Sequence, residues 1–317
     1  MLSLARAMGG VEEARRVGMR FRSTFLRDDG ERALEIVPLA FESLGTRGMA
    51  TFVSAGRVKI LIDPGVDLAP KRFGLPPHRI ELERKTEQWG RIRAYAGKAS
   101  VLVVTHYHHD HFHEDESELF SGKTVLLKHP TENINVNQKK RARVLLERIQ
   151  KRAKEIHFAD GEEFAFGEVR IRFSPAVCHG VNSRSGYVVE VSVRSEGVFL
   201  HTSDVGGPVL PEQVEFIIRE NPRVLLCDGP VSYMVGSRYD EDYLYRTTEN
   251  LLTIMEQTDV KDLILDHHLL RELSWREKVR QVFEAARVKG VTVSTAAEFA
   301  GLKPDLLEAR RKELYGE

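Results

Sequence analysis

Five of the twelve histidines in this 317-residue chain fall within eight consecutive positions, His106-Tyr107-His108-His109-Asp110-His111-Phe112-His113. What precedes them fixes their setting. Val101-Leu102-Val103-Val104 is apolar at every position, too short for a helix and bounded by polar residues. Such a run reads as an interior strand covered on both faces. The histidine-rich segment is then a loop at the end of a buried strand, where a rigid scaffold delivers functional side chains.

In an extended loop alternate residues point the same way, so His106 and His108 converge on one ion. Asp110 and His111 follow at a turn and face a second. Neutral imidazole and carboxylate suit zinc or a similar borderline ion. A hydrolytic centre also draws ligands from distant segments and keeps a position for water. Three more strand-like runs end in such groups. They deliver His179 after Phe173 to Cys178, Asp204 after Phe199-Leu200-His201, and His267 or His268 after Leu263-Ile264-Leu265-Asp266. Adjacent side chains diverge, so one of the last pair is expected to be the ligand, and His267 ends its strand directly. His109 and His113 point away from the ligand face, and His201 is assigned to packing or to a bond behind a ligand.

Elsewhere, strands are expected at 34–39, 50–53, 58–62 and 125–127, then at 156–158, 163–174, 186–193, 197–201, 223–227 and 262–266. Helices are expected at 79–96, with Ile80, Trp89, Ile92 and Ala96 inward, and at 138–156, with Leu145, Leu146, Ile149, Ala153 and Ile156 on one face. Further helices are expected near 211–220, 239–258, 274–288, 295–301 and 303–315. Each half places strands before helices without strict alternation. That pattern predicts an α/β chain of α+β type, with two antiparallel or mixed sheets covered by helices. Residues 1–34 read as an N-terminal extension, a poorly ordered arm or loose helix, and 35–317 as a single domain.

Lys plus Arg and Asp plus Glu number 47 each, so no net charge draws the chain to nucleic acid or an anionic membrane. No apolar run reaches membrane-spanning length. Cys178 and Cys227 are too few for a disulfide framework and form no CxxC pair; two buried thiols in a reducing cytoplasm are expected. The expected partner is a small-molecule substrate. The basic outer face of helix 138–156 keeps nucleic acid as a less favoured alternative. Arg47 and Arg184 are candidates for holding an anionic substrate, and His78, in the Pro-rich loop 66–78, is a candidate substrate contact.

The ordered set His-x-His-x-Asp-His, then a later His, a later Asp and a last His, resembles the metallo-β-lactamase superfamily over residues 35 to 271. The resemblance implies an αββα sandwich of two mixed sheets flanked by helices, with a dinuclear site at the sheet edges. It assigns His106, His108 and His179 to one metal and Asp110, His111 and His267 to the other, with Asp204 bridging. A hydroxide between two divalent ions would be the nucleophile, with Asp110 as the catalytic residue steering its proton. Zinc is the expected metal, with iron and manganese also compatible. Asp63 matches the family's orienting carboxylate, and His268 is assigned to a place behind the ligands. Phosphoesters, lactones and thioesters all lie within reach of such a hydrolase. The alternatives are a metal-dependent nuclease, an iron-containing oxidoreductase and a non-catalytic metalloprotein. Finally, Glu42 to Thr51 and Gly74 to His78 resemble phrases of a mainly archaeal, functionally uncharacterised branch of the superfamily.

Overall fold

The apolar runs assemble into two seven-stranded sheets. The computed structural model describes residues 22–26 and 32–317. Sheet one runs in chain order, β1 (Arg22–Leu26), β2 (Arg32–Ala40), β3 (Ala50–Ala55), β4 (Val58–Ile62), β5 (Val101–Val104), β6 (Thr124–Leu127) and β7 (Glu155–Phe158). Its first four strands form an antiparallel meander; β4 to β7 are parallel. The second half opens with β8 (Glu163–Phe166) and β9 (Val169–Phe173), then a small ribbon of β10 (Val177–Cys178) and β11 (Tyr187–Val188). Sheet two is completed by β12 (Val191–Arg194), β13 (Val198–His201), β14 (Val224–Asp228), β15 (Asp262–Asp266) and β16 (Thr292–Ser294), in the order β16-β15-β14-β13-β12-β9-β8. Here β13 to β16 are parallel and the rest antiparallel.

Alternation along each strand sorts the core into layers. Ile60, Ile62, Val101 and Val103 of sheet one meet Ile171, Val191, Phe199, Leu226 and Ile264 of sheet two between the sheets. The intervening Leu61, Leu102 and Val104 face outward under α1 (Arg79–Ala96) and α2 (Val136–Ile149). On the far side Leu225, Cys227, Leu263 and Leu265 are covered by α3 (Pro211–Glu220), α4 (Asp242–Gln257), the short α5 (Trp275–Lys278) and α6 (Arg280–Lys289). Two short helices, α7 (Ala296–Phe299) and α8 (Arg311–Leu314), close the chain. The layers are helix, sheet, sheet, helix: the metallo-β-lactamase-like sandwich. β5 is buried on both faces, which is why its four residues are all apolar.

Some elements differ from the sequence reading. The helix expected to reach residue 156 stops at Ile149, and Ile156 belongs to β7. The stretch 163–174 is two strands folded about Gly167, whose φ of +61° suits glycine. Residues 186–193 are split between β11 and β12, 274–288 breaks at Val279, and of 303–315 only α8 is helical. Ile80 faces solvent; α1 instead buries Glu81, Gln88, Ile92, Tyr95 and Ala96. Glu81 is accommodated because Arg311, fully buried, pairs with both its oxygens at 2.7 and 2.8 Å. Of the expected N-terminal extension, residues 1–21 and 27–31 lie outside the described residues, while Arg22–Leu26 is paired with β2 rather than forming an arm. Among the described residues no helix is long and apolar enough to cross a membrane.

Candidate metal centre

The C-terminal ends of β4, β5, β10, β13 and β15 deliver Asp63, His106, His179, Asp204 and His267 to one edge of the sandwich. Among the described residues four overlapping groups of candidate ligands form there, two of three residues (Asp63, His106 and His111; Asp204, Asp228 and His268) and two of four. His106, His108, His179 and Asp204 each offer a ligand atom within 4.8 Å of the others, and so do Asp110, His111, Asp204 and His267. Asp204 is common to both. Its Oδ2 lies 3.4 Å from His106 Nε2 and 3.2 Å from His179 Nε2. Its Oδ1 lies 2.9 Å from His111 Nε2 and 3.2 Å from His267 Nε2. Asp110 Oδ2 stands 3.9 and 3.8 Å from those last two nitrogens. The two carboxylate oxygens thus face one histidine set each.

The far sides of three of the imidazoles are tied down. His111 Nδ1 donates to Asp63 Oδ2 at 2.8 Å, and His267 Nδ1 donates to Glu42 Oε2 at 2.7 Å. His106 Nδ1 lies 3.2 Å from the hydroxyls of both Thr105 and Ser203. A proton fixed on Nδ1 leaves the Nε2 lone pair for a cation. Asp63 is itself anchored by Thr105, whose N–H and hydroxyl donate to it at 2.8 and 2.7 Å. Ser203 is set by His201, which accepts the Ser203 N–H on Nδ1 and donates from Nε2 to Met49 O. Asp63, Ser203 and His267 have φ of +50°, +57° and +58°. Left-handed backbone at three non-glycine residues costs free energy that the surrounding hydrogen bonds offset.

These residues fit a metal. His106 Nε2, His111 Nε2 and Asp204 Oδ1 are buried and make no hydrogen bond. Buried polar atoms crowded together without bonding are costly unless a cation lies among them. Protonation points the same way. Burial pushes the His106 imidazole down to about 4, helped by the neighbouring His111 charge, and burial together with His106 drives His108 well below its ordinary value. Burial alone would raise Asp204, but the charges of His111 and His267 hold it well below the carboxylate range. Burial opposes charge on His111 and His267 too, yet Asp204, with Asp63 beside the one and Glu42 beside the other, raises both well above the usual imidazole value. A metal ion bound there would take the place of those protons.

No family model matches the chain. It is 44% identical over 284 residues to a UPF0282 protein of Korarchaeum cryptofilum, covering 89% of this chain and 94% of that one. It is also 44% identical over 294 residues to UPF0282 protein MJ1629 of Methanocaldococcus jannaschii, covering 89% and 96%. The chain belongs to the UPF0282 family. Unliganded yeast PDE1 shares the fold of this UPF0282 chain at a TM-score of 0.52 and 13% identity, over 83% of this chain and 97% of that one.

In this UPF0282 chain the backbone of the ligand loop is packed as tightly as its side chains. A Cβ at Gly65 would meet Phe112 N at 2.3 Å and His111 C at 2.4 Å, so only glycine fits. Tyr107 reaches from the loop to Lys128 O. The other sequence candidates fall into place around it. His268 Nδ1 lies 3.0 Å from both oxygens of Asp228, and its ring stands 5.8 Å from that of His179, so it flanks the centre. His78 belongs to neither ligand group: it caps α1 and its ring packs on Tyr315. His109 is exposed against Phe112, and His113 packs on Trp89. Arg47 is committed to Glu308 through two 2.7 Å bonds. Cys227 is buried, whereas Cys178 is half-buried.

Sequence reasoning missed Glu42 and Arg271. Arg271 donates from Nε to Glu42 Oε1 at 2.9 Å, and its Nη2 lies 3.3 Å from His267 Nε2. Asp266 locks the same corner, accepting the N–H groups of Ser43, His267 and Ala296. The available signal was an acid set between Phe41 and Leu44 directly after a strand, an unusual place for an unpaired charge.

Proposed function

We propose that this protein is a metal-dependent hydrolase working with two divalent metal ions, zinc being the metal its ligands suit best. The observation that carries the reading is the pair of ligand groups sharing Asp204, with the outer nitrogens of His111 and His267 fixed by carboxylates. His106, His108 and His179 would hold one ion, Asp110, His111 and His267 the other, and Asp204 both. Bound there, the ions supply a water activated near neutral pH and polarisation of the scissile oxygen. The chain's own residues do the rest. Asp110, partly open to solvent and held ionised by His111 and His267 against the opposing effect of burial, would accept a hydrogen bond from that water. Glu42 and Asp63 keep His267 and His111 in the tautomer that ligation needs.

Phosphoesters, lactones and thioesters are the substrate classes in reach, and a small molecule is the expected partner. The nuclease reading is weaker. Arg143, Arg148 and Arg152 on the basic helix and the turn after it are paired with Glu147, Asp115 and Glu118, which reduces the charge offered to a polyanion. The test is metal content by elemental analysis beside hydrolysis of a phosphomonoester, phosphodiester, lactone and thioester panel, for wild type and His108→Ala. The reading expects metal-dependent turnover of one class and loss of both metal and turnover in the variant. Unchanged metal content in His108→Ala would sink it.

A further inference from the structure

A cleft of about 370 Å³ opens beside the ligand groups, with His108 and Asp110 in its lining. That is room for a small molecule. Arg141 and Arg184 line the same cleft. Neither forms an ion pair among the described residues, whereas Arg47, Arg148, Arg152 and Arg172 are each matched by a carboxylate. The acids of the cleft are already engaged: Asp67 pairs with Lys85 at 2.6 Å, and Asp110 belongs to a ligand group.

Both guanidiniums are placed rather than adrift. Arg141, half-buried on α2, donates from Nη1 to Tyr107 O at 3.0 Å, inside the ligand loop itself. That bond leaves most of its N–H fork unused. Arg184 is exposed, but its backbone is held at both ends. Its N–H donates to Asn182 Oδ1, and its carbonyl accepts from Asn135 Nδ2. A carboxylate has two oxygens, which one guanidinium fork satisfies. Two uncompensated forks beside a cation centre call for an anion with more oxygens to offer.

We infer that Arg141 and Arg184 form a recognition wall for phosphoryl oxygens, so that the compound hydrolysed is a small phosphate ester and not a neutral lactone. The inference rests on the hydrolase reading above and narrows it. In the reaction a water oxygen forms a new bond to phosphorus, the ester P–O bond breaks, and the alcohol leaves with one of the water's protons. Arg141 carries a bond that braces the ligand loop, so Arg184 gives the cleaner variant.

The test compares metal-loaded wild type with Arg184→Gln, Arg184→Lys and Arg141→Gln. Inorganic phosphate binding is measured by calorimetry, p-nitrophenyl phosphate turnover by absorbance, and metal content by elemental analysis. Arg184→Gln is expected to keep its metal, to bind phosphate about tenfold more weakly and to show the loss chiefly in KM, with lysine restoring part of it. Arg141→Gln is expected to weaken phosphate binding at least as much. Phosphate affinity equal to wild type in both glutamine variants overturns the inference, as does a wild type that prefers a neutral lactone to the phosphate ester. Should loaded wild type hydrolyse nothing while phosphate binding still depends on Arg184, the recognition wall stands and the hydrolase reading fails.

Discussion

Replacing Asp63 by asparagine changes one atom and isolates the role of a carboxylate behind a ligand. Asp63 accepts three hydrogen bonds, from Thr105 N, Thr105 Oγ1 and His111 Nδ1, at 2.8, 2.7 and 2.8 Å. An amide offers one oxygen and one NH2 in the same space. With the NH2 toward Thr105 N, two donors face each other and a buried N–H is orphaned, at a cost of about 1–3 kcal/mol. With the NH2 toward His111, the imidazole must move its proton to Nε2, the nitrogen that stands 2.9 Å from Asp204 Oδ1, and the lone pair for the metal is lost. Either way the side chain keeps its size and the centre loses its orientation. Losing such a partner costs roughly 10–100-fold in metal affinity, or about 1.4–2.7 kcal/mol. Competition against a chelator of known affinity measures this directly, with circular dichroism to confirm the fold. A folded Asp63→Asn protein that binds metal within twofold of wild type would show that Asp63 does not orient His111 for a metal.

Three more outcomes are expected. Glu42→Gln removes the counter-charge of Arg271, which is buried; leaving a buried charge unpaired costs about 3–5 kcal/mol, read as a fall in denaturant midpoint, and an unshifted midpoint contradicts the pairing. Burial alone would raise Glu308, but its bonds to Arg47 outweigh that and hold its carboxyl at about 2, against 4.5 ordinarily. Roughly 3 kcal/mol of stability follows, discounted for partial exposure of Arg47. It is fully present above pH 4.5 and lost as pH falls toward 2, so the stability gap between wild type and Glu308→Gln should shrink over that window. A gap independent of pH argues against it. Gly65→Ala drives a methyl into the His111–Phe112 backbone at under 2.5 Å, so the variant should lose bound metal, and wild-type metal content in a folded variant speaks against so tight a fit.

Much of the scaffold was legible because several of the candidate ligands follow an apolar run that only a buried strand explains. Val101–Val104 before His106 and Leu263–Leu265 before His267 are examples. The residues behind the ligands were harder. Asp63 was visible because it ends a strand, but Glu42 meets His267 across 225 residues of chain, and no local pattern reports a partner so distant. Periodicity misled where two periods overlap. Ala153 and Ile156 extend the helical spacing of Leu145 and Ile149, yet Ile156 also fits the alternation of β7, and the sheet takes it. Arg141 read as part of a solvated face because the helix was placed without its neighbour. Only packing against Tyr107 turns that arginine toward the centre.

The proposed function puts Asp204 between two metal ions. Anomalous diffraction from crystals of zinc-loaded protein, collected above and below the zinc edge, tests it most directly. Two peaks about 3.5–4 Å apart are expected, one within reach of His106, His108 and His179, the other of Asp110, His111 and His267, with the Asp204 carboxylate between them. A single peak remote from Asp204, or none in protein shown to carry zinc, would contradict it.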